Sequence, residues 1–218
     1  MSIAGSLHTR LSGYVSLNLV VEEIILVDER DEEIGAADKL AAHTGSGLLH
    51  RAFSIVLFGP DGRMLLQQRA TAKYHFGGLW TNACCGHPRP GEELVEAARR
   101  RLREELGFDT ELQPVFSFRY SAMDDSSGLT EQELDHVLVG RTSGGFRPDP
   151  DEIDDLRWID CRALTRDVNT HPERYTPWFA MLLVRLPELE AANSALQRSG
   201  VQSTQSPEGY LPRAAGRP

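Results

Sequence analysis

Residues 86–108 read GHPRPGEELVEAARRRLREELGF, and this stretch decides how the rest of the chain folds. From Glu92 onward the residues Leu94, Ala98, Leu102 and Leu106 recur every four positions, which in an α-helix places them on one face as a stripe for burial. Gly107 follows directly, and glycine is the residue that most readily takes the left-handed conformation ending a helix. A helix is therefore expected over residues 92–106. Its remaining positions carry charge, among them Glu92, Arg100, Arg101, Glu104 and Glu105. Taken alone, Arg101 and Glu105 are four apart and form an ordinary helix-surface ion pair, worth on the order of a few tenths of a kcal/mol.

Working outward, residues 22–28 (EEIILVD) and 48–58 (LLHRAFSIVLF) are apolar and rich in β-branched residues, and read as strands. The turn Gly59-Pro60-Asp61-Gly62 leads into a third strand over 63–68, a hairpin. Residues 69–90 hold glycine, histidine and aromatic residues without a period and are expected to form one long loop, the kind of segment that usually carries function. Beyond the helix, strands fit at 112–120, 135–141 and 156–159, and a final helix at 177–189 with Pro177 at its start. Strands, helix, strands, helix predict an α/β (α+β) fold, a mixed β-sheet sandwiched between helices. The 218 residues show no composition break, so a single domain is expected over 21–191. A flexible lead-in at 1–20 and a disordered Ser-, Gln-, Gly- and Pro-containing tail at 192–218 complete the expected organisation.

The formal charge of -9 argues against a nucleic-acid partner, whose binding draws on clustered Lys and Arg. A polyanionic ligand remains compatible if metal ions and a few basic residues reverse the sign inside one pocket. No apolar run approaches the roughly 20 residues that span a bilayer, and no basic region followed by an apolar stretch opens the chain, so no membrane partner and a cytoplasmic location are expected. Cys84, Cys85 and Cys161 are odd in number and lack disulfide spacing, as suits a reducing compartment. No glycine fingerprint for a dinucleotide appears, so no organic cofactor is expected. With no exposed apolar stripe left over, a monomer is expected.

The stretch 86–108 closely resembles the Nudix box: a Gly, five intervening residues, a Glu, seven more, then Arg-Glu, an apolar residue, any residue, Glu-Glu, any residue, Gly and an apolar residue. Gly86, Glu92, Arg100, Leu102, Glu104, Glu105, Gly107 and Phe108 occupy the matching places, whereas Arg101 stands where a Nudix hydrolase has its first paired Glu. Such a loop and helix can project carboxylates toward a Mg²⁺ that clamps a diphosphate. Putting Arg at one of those positions weakens a multi-metal hydrolytic site and adds a direct anion ligand.

The surroundings, across roughly residues 22–190, resemble type I isopentenyl-diphosphate isomerases. The landmarks are Ala41-Ala42-His43-Thr44, Leu49-His50-Arg51-Ala52-Phe53-Ser54, Trp80-Thr81-Asn82, Cys85-Gly86-His87-Pro88, Phe118-Arg119-Tyr120, Glu131-Gln132-Glu133 and Pro177-Trp178, all in the family's order. The resemblance implies that His43, His50, His87, Glu131 and Glu133 ligate one divalent ion. Glu131 and Glu133 are two apart and share a face if extended. Three imidazoles and two carboxylates suit Mn²⁺, Zn²⁺ or Fe²⁺ and leave the choice among them open.

A second ion, Mg²⁺, is implied at Glu105 and the backbone carbonyl of Cys85, bridging diphosphate oxygens. Arg69, Lys73 and Arg101 match diphosphate-binding positions, with Arg51 a further candidate. Cys85 and Glu133 match the two proton-transfer groups that interconvert isopentenyl and dimethylallyl diphosphate, and the order in which they act is left open. Tyr120 matches a residue assisting the Glu, and Trp178 one whose ring faces the cationic carbon, while Trp80 reads as structural. Gly77-Gly78 stand where many relatives have Pro-Gly, which predicts a more mobile loop. Two other readings compete: a Nudix pyrophosphatase acting on a nucleoside diphosphate derivative, which would want the Glu displaced by Arg101, and a catalytically dead diphosphate-binding module, which would lack a ligand or proton carrier.

Overall fold

In a computed structural model of the chain, residues 22–200 are described, together with the backbone of residues 213–214. The strand His50–Phe58 (β3) organises the fold, since its nearly unbroken apolar sequence lets it be covered on both faces. Its side chains alternate between two cores: Phe53, Ile55 and Leu57 enter one, and Val56 and Phe58 the other. Around β3 pair Glu23–Val27 (β1), Met64–Arg69 (β4), Cys84–Gly86 (β6) and Leu129–Arg141 (β8). Glu33–Asp38 (β2) extends β1; Trp80–Thr81 (β5) and Ile153–Ile159 (β9) pair with β4; and Leu112–Asp124 (β7) pairs with β8. The backbone of Arg213–Ala214 (β10) lies parallel to β9. The β3–β8 pairing is parallel and most other pairings are antiparallel, so the sheet is mixed, as expected.

Helices cover both faces. Lys39–His43 (α1) is a short connector capped by Asp38, whose carboxylate accepts from the Ala41 amide at 2.9 Å. Leu94–Leu106 (α2) buries Ala98, Leu102 and Leu106 against Phe53, Ile55 and Leu57, the stripe expected from the four-residue spacing. Gly107 ends it at φ 66. Cys161–Thr170 (α3), Pro177–Leu183 (α4) and Leu186–Arg198 (α5) close the opposite face over Val56, Phe58, Val137 and Val139.

Three sequence expectations change. The helix expected over 177–189 is two helices, α4 and α5, because Pro187 lacks an amide hydrogen and its ring crowds the carbonyl one turn earlier. The disordered tail expected from 192 is helical over its first residues: α5 continues to Arg198 and buries Ala192, Asn193 and Leu196, with the Asn193 side chain accepting from Arg141. The expected lead-in at 1–20 and most of the tail lie outside the described residues. The loop 69–90 contains the short strands β5 and β6, whose pairing with β4 and β3 could not be read from so few residues.

Gly107 offers a direct test of the helix stop. A Cβ there would lie 2.8 Å from the Arg147 side chain in a backbone conformation that L residues avoid. Gly107→Ala is expected to destabilise the fold by at least about 1–2 kcal/mol, measured as a lower urea midpoint with an unchanged slope. An unchanged midpoint would show that the helix end tolerates a side chain.

Candidate metal centre and the adjoining cavity

The parallel register of β3 and β8 places His50 opposite Glu133, and Glu131 lies two residues earlier on the same face of β8. His43 ends α1, and His87 follows β6, which pairs with β3 on its other side. Four segments of the chain thus bring one ligand atom each from His43, His50, His87, Glu131 and Glu133 to within 4.8 Å of one another, all buried. His43 Nε2 lies 2.8 Å from Glu131 Oε2, and His87 Nε2 lies 3.0 Å from Glu133 Oε1 and 3.2 Å from His50 Nε2.

The donor chemistry of this group fits a divalent ion. The Nδ1 atoms of His43 and His50 meet the backbone carbonyls of Lys39 at 2.5 Å and Leu48 at 2.7 Å. An N–H donated there leaves the Nε2 lone pair free to bind inward, the tautomer a metal-bound imidazole needs. Burial alone would raise Glu131, but its contacts with the His43 and His75 imidazoles outweigh it and hold the carboxyl well below its ordinary range. Burial and the neighbouring Glu131 charge likewise push Glu133 up, and the contacts with His50 and His87 outweigh them to bring it down. Burial depresses His87 to about 4, so its imidazole is neutral and able to donate a lone pair. Two adjacent carboxylates out of water call for positive charge between them.

Three of these residues, His87, Glu131 and Glu133, form one wall of a cavity of about 390 Å³. Cys85, Glu133, Tyr120 and Trp178 line it, as do Arg69, Lys73, Arg101 and Glu105. Tyr120 donates to Glu133 Oε2 at 2.6 Å. Burial, with the negative charge of Asp135, pushes the Cys85 thiol up to about 12, so the sulfur stays protonated at neutral pH. Asn82 and Ser54 surround that sulfur, with Asn82 Nδ2 at 3.2 Å and Ser54 Oγ at 3.7 Å. Trp178 packs edge-on against Phe76 at 5.3 Å, and the Arg69 guanidinium carbon sits 5.6 Å from the centre of its ring.

The cationic residues divide. Arg69 donates to the carbonyls of His75 and Phe76, both at 3.1 Å, which uses two of its five N–H groups. Lys73 and Arg101 both contact Glu152, and Arg101 also pairs with Glu105 and with Glu104. Arg51 is not brought to the cavity. It turns toward Asp31 on the β1–β2 turn, donating to Oδ1 and to the backbone carbonyl at 2.7 Å each, and its expected place among the diphosphate ligands is withdrawn. Trp80 stays outside the cavity, with the Arg157 guanidinium stacked 4.0 Å from its ring centre.

Sequence reading missed Lys39, which lines the cavity one helical turn before His43 and pairs with Glu22 at 3.0 Å. The four-residue spacing from His43 was the available signal. It also missed His75, whose Nε2 is 2.5 Å from Glu131 Oε1.

The NUDIX domain profile matches residues 48–179. The chain is 50% identical over 182 residues to an isopentenyl-diphosphate Delta-isomerase 2 of Aromatoleum aromaticum, covering 82% of this chain and 95% of that protein. It is 48% identical to an isopentenyl-diphosphate Delta-isomerase of Halorhodospira halophila, covering 77% of this chain and 96% of that one. An isopentenyl-diphosphate Delta-isomerase of Nocardia farcinica is 45% identical, covering 80% and 96% respectively. Among solved structures, a Deinococcus radiodurans protein superposes with a TM-score of 0.63 at 24% identity over 75% of this chain and 98% of its own, a likeness of fold.

Stripping divalent ions with a chelator is expected to lower the melting temperature, and adding Mn²⁺ back to restore it. An ion at a hundred times its dissociation constant stabilises by about 2.7 kcal/mol. Identical melts with and without metal would remove the ion from the cluster.

Proposed function

This chain belongs to the isopentenyl-diphosphate Delta-isomerase family, built on the Nudix fold, and from that membership we propose that it interconverts isopentenyl diphosphate and dimethylallyl diphosphate, a step of isoprenoid biosynthesis. One observation carries the reading: Cys85 and Glu133, from two different strands, line one cavity together with Trp178 and with the cations Arg69, Lys73 and Arg101. A nucleotide hydrolase has no use for a protonated thiol at that place.

The reaction adds a proton to the terminal methylene carbon of isopentenyl diphosphate and removes one from the carbon two bonds from the diphosphate oxygen. A tertiary carbocation lies between the two steps, with no carbonyl to spread its charge, so an acid and a base are needed in a cavity that excludes water. Cys85 and Glu133 are the proton-transfer pair: one gives a proton as the other takes one, and the reverse reaction exchanges the roles. Tyr120 holds Glu133 through its outer oxygen. Trp178 turns its ring toward the cationic carbon, a contact worth roughly 2 kcal/mol or more away from water.

At the charged end, Lys73, Arg101 and the unused N–H groups of Arg69 bind the diphosphate. Glu105 and the Cys85 carbonyl would hold a Mg²⁺, and His43, His50, His87, Glu131 and Glu133 a Mn²⁺, Zn²⁺ or Fe²⁺. When bound, these cations supply positive charge beside the diphosphate and beside Glu133. The working unit in this reading is a monomeric catalytic domain that begins near residue 21 and runs through α5, without an organic cofactor.

Incubating the protein with isopentenyl diphosphate, Mg²⁺ and Mn²⁺ in D₂O is expected to yield dimethylallyl diphosphate carrying deuterium. Release of phosphate or diphosphate without that product would instead identify a hydrolase. Cys85→Ala should lose turnover while retaining metal, and full activity in that variant would remove the thiol from the mechanism. Arg101→Ala should raise KM more than it lowers kcat, in steady-state assays over a range of substrate concentrations.

A further inference from the structure

The loop between β4 and β5 carries a fourth histidine into the metal centre. His75 is 8% exposed, its Nε2 lies 2.5 Å from Glu131 Oε1, and its ring centre is 5.6 Å from that of His43. We propose that His75 is a positioning residue of the metal centre: it donates Nε2–H to Glu131 Oε1, so that Glu131 presents its other oxygen, the one beside His43, to the ion. This role rests on the five-ligand metal centre proposed above.

Three observations carry it. The first is the hydrogen-bond pattern. His75 Nδ1 is buried without a partner. A neutral imidazole has one N–H, and an idle lone pair costs less than an idle N–H, so the proton belongs on Nε2, facing the carboxylate. His43 and His50 show the opposite arrangement, with Nδ1 at a carbonyl and Nε2 facing the cluster. His87 also has an unpartnered Nδ1, but its Nε2 faces His50 and Glu133 and His87 is one of the five residues that converge, whereas His75 is not among them.

The second is a parallel. Tyr120 does for Glu133 what His75 does for Glu131: its hydroxyl holds Oε2 at 2.6 Å while Oε1 faces His87 at 3.0 Å. Each carboxylate is thus gripped at one oxygen from outside and offers the other to the cluster.

The third is the backbone that delivers the ring. Phe76 sits at φ 49, a left-handed conformation costly for an aromatic residue. Three hydrogen bonds hold it there: Arg69 donates to the carbonyls of His75 and Phe76, and the Phe76 amide donates to Asp124 at 3.0 Å. Gly77 lies so close to the loop's start that a Cβ would stand 2.8 Å from the Thr71 carbonyl oxygen, and Gly78 follows at φ 79. The glycine pair lets this loop close on itself and turn His75 inward.

Wild type, His75→Ala, His75→Gln and His75→Leu would be titrated with Mn²⁺ in competition with a chelator of known affinity, free and bound Mn²⁺ being read by electron paramagnetic resonance. His75→Ala is expected to bind Mn²⁺ about 10–100-fold more weakly, the usual effect of losing a ligand's outer hydrogen-bond partner. His75→Gln, which keeps a donor, should recover most of that loss. His75→Leu fills the space without a donor and replaces the Ala variant should the latter not fold. X-ray absorption of the Co²⁺ forms should count the same number of nitrogen donors in wild type and in the Ala or Leu variant. Undiminished affinity in both apolar variants, or a Gln variant as weak as they are, overturns the role. So does the loss of one nitrogen donor, which would make His75 a ligand. If wild type itself binds neither Mn²⁺ nor Co²⁺, the metal centre fails, and the role of His75 with it.

Discussion

Glu131 and Glu133 stand side by side on the same face of a buried strand, and the rest of the site is arranged around that pair. Two carboxylates this close and away from water repel by an amount on the order of a few kcal/mol. Three imidazoles, a fourth from the β4–β5 loop and the Tyr120 hydroxyl surround them, and a divalent cation would complete the balance. The parallel β3–β8 pairing is what makes this possible. It sets His50 beside Glu133 at one end of β3, while four residues further on, Ser54 meets Cys85 across the β3–β6 pairing. One strand therefore fixes the spacing between the metal centre and the thiol.

The acidity of the chain and the anionic substrate class are reconciled locally. Several of the cavity's cations are paired with carboxylates of the chain itself, Lys39 with Glu22, Lys73 with Glu152, and Arg101 with Glu104, Glu105 and Glu152. These partners hold long side chains in place, which reduces the entropy lost when an anion binds. A diphosphate must compete with the carboxylates, and a magnesium ion would relieve that competition by drawing Glu105 to itself.

Much of this was legible beforehand, for identifiable reasons. The helix of residues 94–106 was readable because its period, its glycine stop and its charges agree, and β3 because a long apolar run bounded by turns has few alternatives. The ligands came from ordered motifs. The edge strand Glu33–Asp38 escaped because EIGAAD has little β propensity and is held mainly by pairing with β1. Helix Cys161–Thr170 escaped although Asp160 caps it, since its apolar positions are few. Arg51 was misplaced because a motif gives the residue and not the direction of its side chain, and Asp31, twenty positions earlier, captures it. His75 had no motif to announce it. Its significance lies in a contact between residues 56 positions apart in sequence, which no local pattern encodes.

That contact joins two sites that the chain otherwise builds from separate elements. Arg69 holds the carbonyls of His75 and Phe76, His75 grips Glu131, and Phe76 packs on Trp178. A single short loop thus touches the diphosphate end, the metal centre and the aromatic wall of the cavity. Movement of Arg69 toward an incoming anion would release its hold on the loop unless its remaining N–H groups suffice, and the geometry provides for this by committing only two of the five. Because Phe76 is held in a conformation it would not adopt unaided, any loosening of those bonds would shift the imidazole and the aromatic ring together. In the proposed reaction, one piece of backbone would therefore bear on both the charged end of the cavity and the proton-transfer end, and the order of that loop would matter to both.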